Sequence, residues 1–189
     1  MPIRKDFLSQ VARRVAMPSQ DAPAGVTSSI LTAAAGSYGF RPGGDDVTIP
    51  TGFDPHAASL FESIVEAAVL VARSDGPLDE QKEKAFRTVV LEACRGSVRP
   101  DALDALLADL SNQLQKDGLD TRIQMVARTI KRADHQREVL RIAAFLAFTS
   151  GGVSDDERAV ITKLATAFGL PQGTVDRVLA EVRQAVDAG

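Results

Sequence analysis

Two ten-residue stretches decide the fold: Val71-Ala-Arg-Ser-Asp75-Gly-Pro-Leu-Asp79-Glu80 and, 75 residues further on, Leu146-Ala-Phe-Thr-Ser150-Gly-Gly-Val-Ser154-Asp155. Each runs an apolar helix into a glycine turn, then places Asp or Ser where a helix N-cap belongs, then acidic residues. The match extends outward on both sides. Ile64, Val65, Ala68, Leu70, Val71 and Ala72 correspond to Val139, Leu140, Ala143, Phe145, Leu146 and Ala147. Leu78 falls on Val153, Phe86 on Ile161 and Val89 on Leu164. The repeating unit is a buried helix, a tight turn and a second amphipathic helix. Two such hairpins packed together bury both apolar faces in one core. A pseudo-twofold arrangement would place the two turns in related positions at one end of the bundle. The period is too long and the copies too few for a solenoid.

Working outward, Asp54-Pro55 opens the first helix of the repeat, since Asp caps and Pro suits the first helical position. Its apolar face carries Leu60, Phe61, Ile64, Val65, Ala68 and Val71, and Gly76-Pro77 ends it. Asp79 caps a helix with Phe86, Val89 and Val90 that ends at Gly96. Pro100 opens a third with a leucine stripe (Leu103, Leu106, Leu107, Leu110, Leu114), closed by Gly118. Further helices are predicted over 120–133, 135–149, 154–168 and 171–187, punctuated by Gly151-Gly152, Gly169 and Pro171. No segment alternates with a period of two, so no strand is expected.

Before Asp54 the chain reads differently. Ile3, Phe7, Leu8, Val11 and Val15 recur at helical spacing, with Arg4, Lys5, Arg13 and Arg14 alongside, and Pro18 stops that helix. Residues 17–53 are rich in Gly, Pro, Ser and Ala, and Arg41-Pro-Gly-Gly-Asp-Asp46 is turn chemistry. Ser28 to Ala35 has room for one or two helical turns. The expected class is all-α: a compact helical bundle of two related helical-hairpin halves over 55–189. An amphipathic helix and a linker over 1–54 precede it.

Composition narrows the function classes. Of 189 residues, 44% are hydrophobic and 25% charged, so a packed core is available. Net charge is -3; five basic and five acidic residues precede Pro55, leaving 17 basic against 20 acidic in the helical part. That balance lacks the electrostatic pull of non-specific nucleic-acid binding, and with no Trp and one Tyr there is no aromatic base-stacking platform. One cysteine, Cys94, makes no internal disulfide and suits a reducing cytoplasm. No secretory h-region is read near Arg13-Arg14, and no apolar run of spanning length is expected, so no transmembrane segment is expected.

The sharpest candidate site is the acidic set Asp75, Asp79, Glu80, Asp155, Asp156 and Glu157. Two acidic helix N-termini brought together would supply the several oxygens that calcium, zinc or magnesium requires. The same residues also serve ordinary ends. Asp79 and Ser154 are N-caps, first-turn carboxylates complement the helix dipole, and Ser154-Asp-Asp-Glu157 is a capping box. Neither loop is an EF-hand. With Gly76 at the sixth position, only Asp75 and Asp79 among the ligand positions can ligate; with Gly151 there, the first and third are Leu146 and Phe148. His56 and His135 have no zinc-ligand spacing, and Cys94 reads as a small buried hydrophobe or, with a base nearby, a reactive thiol. Residues 160–182 also fit a DNA-reading helix-turn-helix, with Gln172, Thr174 and Arg177 toward the groove, but Lys163, Arg177 and Arg183 are offset by Asp176, Glu181 and Asp187. No G-x-S-x-G, phosphate-cradling loop, H-E-x-x-H or Cys-His arrangement is present.

Val71 to Glu80 resembles the first helix-turn-helix of the tellurite-resistance TerB family. Val139 to Leu170 resembles its second, including Ser154-Asp-Asp-Glu157-Arg158 and Ala167-Phe-Gly-Leu170. The resemblance covers about residues 57–180. It implies an all-helical cytoplasmic accessory protein of tellurite and stress resistance, working as a sensing or interaction module. Its partners would lie at the inner face of the membrane, where it would be peripheral, and an acidic cluster would bind a metal. The family turn carries Asp-Gly in both halves; here the second has Ser150-Gly151, which removes one carboxylate. The expectation is thus a TerB-like interaction module with no catalytic residues. A DNA-binding regulator using residues 160–182 is the alternative, and an unrecognised enzyme the third reading.

Overall fold

The computed structural model describes residues 4–20, 22–40, 53–149 and 151–188. Among them the chain forms α1 (Lys5–Ala16), α2 (Ile30–Gly39), α3 (Pro55–Ala72), α4 (Glu80–Ala93), α5 (Pro100–Asp117), α6 (Leu119–Thr129), α7 (Ala133–Phe148), α8 (Asp155–Ala167) and α9 (Thr174–Asp187), with no strand. The fold is the all-α bundle expected from the helical periodicity. Arg41 to Asp46 and Ser150 lie outside the described residues.

The N-caps act as the sequence suggests. Asp54 accepts from the backbone N–H of His56 at 2.9 Å, with Pro55 at the first helical position. Two boundaries move inward for local reasons. α6 stops at Thr129 instead of Ala133, because Ile130 turns extended and its carbonyl is taken by Gln136 Nε2 at 2.8 Å. α9 starts at Thr174 instead of Pro171, because Gly173 is left-handed with φ 86°.

α3 and α7 are the paired first helices of the repeat, and they pack on each other at the centre. α2 and α6 cover α3, α9 covers α7, and α8 touches both. α3 is long and apolar enough by composition to cross a bilayer, contrary to the expectation that no run has that length. Its window is 67% buried inside the protein, so here its apolar surface faces other helices.

The segment before Asp54 contributes to the same core. Val11, Val15, Leu31 and Ala35 are at most 1% exposed. α1 lies on α4, and α2 is a full ten-residue helix capped by Ser29, longer than the one or two turns expected from Ser28 to Ala35. Thr32 Oγ1 donates to the Ala93 carbonyl at 3.0 Å. At Gly39 the backbone comes so close to the loop after α4 that a Cβ would stand 1.8 Å from the Ser97 carbonyl oxygen.

Charged residues are also buried in the bundle. Arg122 of α6 donates from Nε to Glu66 Oε1 at 2.5 Å and from Nη1 to Asp117 at 3.2 Å. Burial raises the Glu66 carboxyl above the ordinary 4.5, against the lowering effect of Arg122. On α7, Arg141 donates to the Arg14 and Met17 carbonyls at the end of α1. Glu138 accepts the Ile30 N–H at the start of α2 at 3.0 Å. A cation thus meets a helix C-terminus and an anion a helix N-terminus, the favourable sense for both dipoles.

Two outcomes follow for stability, both read by urea unfolding. Gly39→Ala forces its methyl into the Ser97 backbone and destabilises by about 1–3 kcal/mol. Arg122→Ala strands the Glu66 carboxylate in the interior and costs about 3–5 kcal/mol.

Candidate functional site

The two turns of the repeat share a glycine of positive φ, and the second adds Gly152, φ 122°, where the first has Pro77. Gly76 and Gly151 both hold positive φ, 128° and 109°, a conformation that side chains with a Cβ rarely adopt. In the first turn, Asp79 Oδ1 accepts the Lys82 backbone N–H at 2.8 Å and so caps α4. Glu80 stands in the first turn of α4, exposed, where a carboxylate complements the helix dipole. Asp75 is exposed, and its Oδ2 lies 3.7 Å from Lys82 Nζ.

In the second turn the capping box forms in full. Ser154 Oγ accepts the Glu157 N–H at 3.1 Å, and Glu157 Oε2 accepts the Ser154 N–H at 2.8 Å. Asp155 and Asp156 are exposed in the first turn of α8. Glu157 is buried, and burial is the main cause that raises its carboxyl above 4.5. The bond from Ser154 and the charge of Lys82 oppose that rise, while the charge of Asp75 adds to it. The tertiary fold brings the two turns onto one cleft, lined by Asp79, Gln81 and Lys82 of the first and by Gly151 and Gly152 of the second.

Between them lies an open cleft of about 590 Å³. Lys82 and Asp79 line one side, Thr149 and Gly151 another, and Phe7 of α1 and Val186 of α9 complete it. Both ends of the described chain thus reach the junction of the two halves.

Among the described residues, no three His, Cys, Asp or Glu side chains are grouped to hold a metal ion. The reasons are local. Asp79 and Glu157 have carboxylate oxygens committed to caps, and the cation beside Asp75 is the Lys82 ammonium. Glu80, Asp155 and Asp156 lie on exposed first turns. In this arrangement the residues do not fit a cation.

The remaining candidates take ordinary places. Cys94 is 0% exposed, and burial pushes its thiol up to about 12, far from a reactive thiolate at neutral pH. His56 is exposed beside its cap, and His135 is half-buried, which lowers it below 6.5. In the segment 160–182, Gln172 and Arg177 are exposed, but Thr174 is 4% exposed and donates Oγ1 to the Pro171 carbonyl at 2.7 Å. Thr174 therefore faces the protein and not a groove. The residues that sequence reading missed are Lys82, Glu66, Arg122, Glu138 and Arg141. Glu66 and Arg141 carried a signal: each is a charge inside an otherwise apolar run, and they fall at matching positions of the repeat.

An all-helical domain made of two repeated hairpins, joined where their turns meet, is the class that fold and site define. The family model for tellurite resistance protein TerB matches residues 62–180, more than half of the chain, and the chain belongs to that family. Neither curated proteins nor solved structures give a match. α1, α2, the first seven residues of α3 and the last seven of α9 lie outside the matched span, though they contribute to the same core.

The raised Glu157 carboxyl has a consequence for stability. The folded protein holds its proton to higher pH than the unfolded chain, so this residue's contribution to stability falls as pH rises from about 4.5 through the raised value. Glu157→Gln keeps an oxygen for the Ser154 N–H and removes the titration. Its unfolding free energy, measured by urea denaturation at stepped pH, declines less steeply across that window than the wild type's.

Proposed function

We propose that this TerB-family protein is an accessory factor of bacterial tellurite and stress resistance that works by binding a protein partner, without catalysis. The observation that carries the reading is the cleft where the two turns meet. Phe7, Phe148 and Val186 line it together with the charged Asp79, Lys82 and Asp187, a mixture of apolar and polar groups suited to a protein surface. The family match supports the resistance role. The partner is a cytoplasmic protein or one at the inner face of the membrane, and the protein itself acts in the cytoplasm or peripherally there. Divalent-cation binding at Asp75 and Glu157 forms no part of the proposed action, since the side chains there are committed to caps and to Lys82.

The test pairs a phenotype with a fold control. In a strain made tellurite-sensitive by deleting the gene, the wild-type gene restores growth. A variant carrying Gln81→Arg and Asp187→Arg, both exposed at the cleft, keeps its melting temperature and fails to restore growth. Full complementation by that folded variant would place partner binding elsewhere.

A further inference from the structure

α1 turns its apolar side to the bundle, where Leu8, Val11 and Val15 are buried, and leaves its other side to solvent. Four cations stand on or beside that free side, Arg4, Lys5, Arg13 and Arg14, against the single acid Asp6. Arg4, Lys5 and Arg13 are exposed and Arg14 is half-buried. Five surface cations elsewhere have carboxylate partners: Arg87 with Asp104, Arg99 with Asp101, Arg132 with Asp134, Arg158 with Asp176 and Lys163 with Asp120. Among the described residues, no carboxylate forms an ion pair with any of the four on α1. In a protein of net charge -3, this helix and its cap carry an excess of three positive charges.

The cations do not converge on one point. Arg4-Lys5 and Arg13-Arg14 stand nine residues apart, about 13 Å along the helix axis. Between them lies an open hollow of about 580 Å³, lined by Arg4, Arg13 and Arg14 with Asp6, Phe7, Gln10 and Met17. Met17, at the end of the helix, is 50% exposed, and Val26 of the following loop is 42% exposed. Dispersed cations beside exposed apolar side chains match a surface of anionic headgroups over an acyl interior. Lipids move laterally to meet each cation, whereas a folded acidic protein must offer carboxylates at a fixed spacing. Phe7 is the one aromatic side chain of the helix and is half-buried, so stacking on nucleic-acid bases is poorly served. Because Leu8, Val11 and Val15 are held in the core, α1 keeps its apolar side out of a bilayer, and contact rests on charge.

We propose that the exposed side of α1 is a docking surface for anionic phospholipid, which holds the protein reversibly on a bilayer through Arg4, Lys5, Arg13 and Arg14. α1 lies outside the span that matches the family model, so this surface belongs to the chain's own N-terminal segment. Phe7 lines both the hollow on α1 and the cleft between the turns, so a protein held in this way carries the cleft beside the membrane. The inference rests on α1 and stands whether or not a partner uses the cleft.

Vesicle sedimentation tests it. Purified full-length protein is spun with vesicles of phosphatidylcholine alone, or of phosphatidylcholine and phosphatidylglycerol in equal parts. The wild type binds the anionic vesicles and not the neutral ones, and binding is lost as sodium chloride rises from about 0.05 M to about 0.5 M. Lys5→Glu combined with Arg13→Glu, both exposed, keeps the melting temperature and weakens binding about fivefold for each cation removed, about twenty-fivefold together. Lys116→Glu combined with Arg128→Glu makes the same change of net charge at exposed sites of α5 and α6, which pack on α3, and binds like the wild type. Failure to bind the anionic vesicles, equal binding to neutral ones, an equal loss in both double variants, or tighter binding to a short DNA or RNA duplex than to anionic vesicles would each overturn the proposal.

Discussion

Two helices in this protein, α3 and α7, are buried along most of their length, and each must be covered on several sides. α3 buries Phe61, Ile64, Val65, Leu70 and Val71, and α7 buries Val139, Leu140, Ile142, Phe145 and Leu146. A helix with one apolar stripe needs one neighbour; a helix buried on several sides needs a ring of them. The other elements follow from that demand. α2 and α6 close over α3, α9 closes over α7, and α8 bridges the two. The N-terminal segment is part of this cover, which explains why α2, with little amphipathic character of its own, is a well-buried helix.

The same constraint gives meaning to the few charges that α3 and α7 carry. A charge on a helix surrounded by protein must find its partner there, because the cost of burying it alone is several kcal/mol, about as large as the stability of a small domain. Glu66 finds Arg122 of α6, and Arg141 finds the carbonyls that end α1, with Glu138 turned to the start of α2. Each charge therefore fixes which element covers which side. Apolar contact alone would tolerate a shifted neighbour; a buried guanidinium aimed at two particular carbonyl oxygens does not.

At the turns, a shared glycine and a shared cap position have two electrostatic outcomes. Both turns use a glycine at positive φ and both following helices are capped by a side-chain oxygen. Glu157 then folds back on its own cap, while Lys82 lies 3.7 Å from Asp75 of its own turn. The acidic residues that look like one cluster along the chain are thus divided between caps, exposed first turns and one ammonium. The match to the family runs across both halves, residues 62–180, so both turns of this chain lie within it.

The sequence by itself determined the helices, their caps and the repeat, because periodicity, cap chemistry and glycine turns act within a few residues of one another. Asp54-Pro55, Asp79 and Ser154-Asp-Asp-Glu157 behave in the fold as their local chemistry dictates. The family was legible for the same reason, since its motifs are these local units. Tertiary structure decided the rest. Whether residues 30–39 form a helix depended on α3 offering an apolar face, which composition rich in Ala, Gly and Ser does not reveal. Whether six acidic residues share one locus depended on which oxygens the caps had already taken. The cleft was invisible along the chain because its lining comes from both turns, from α1 and from α9, which only the packing of the helices brings together.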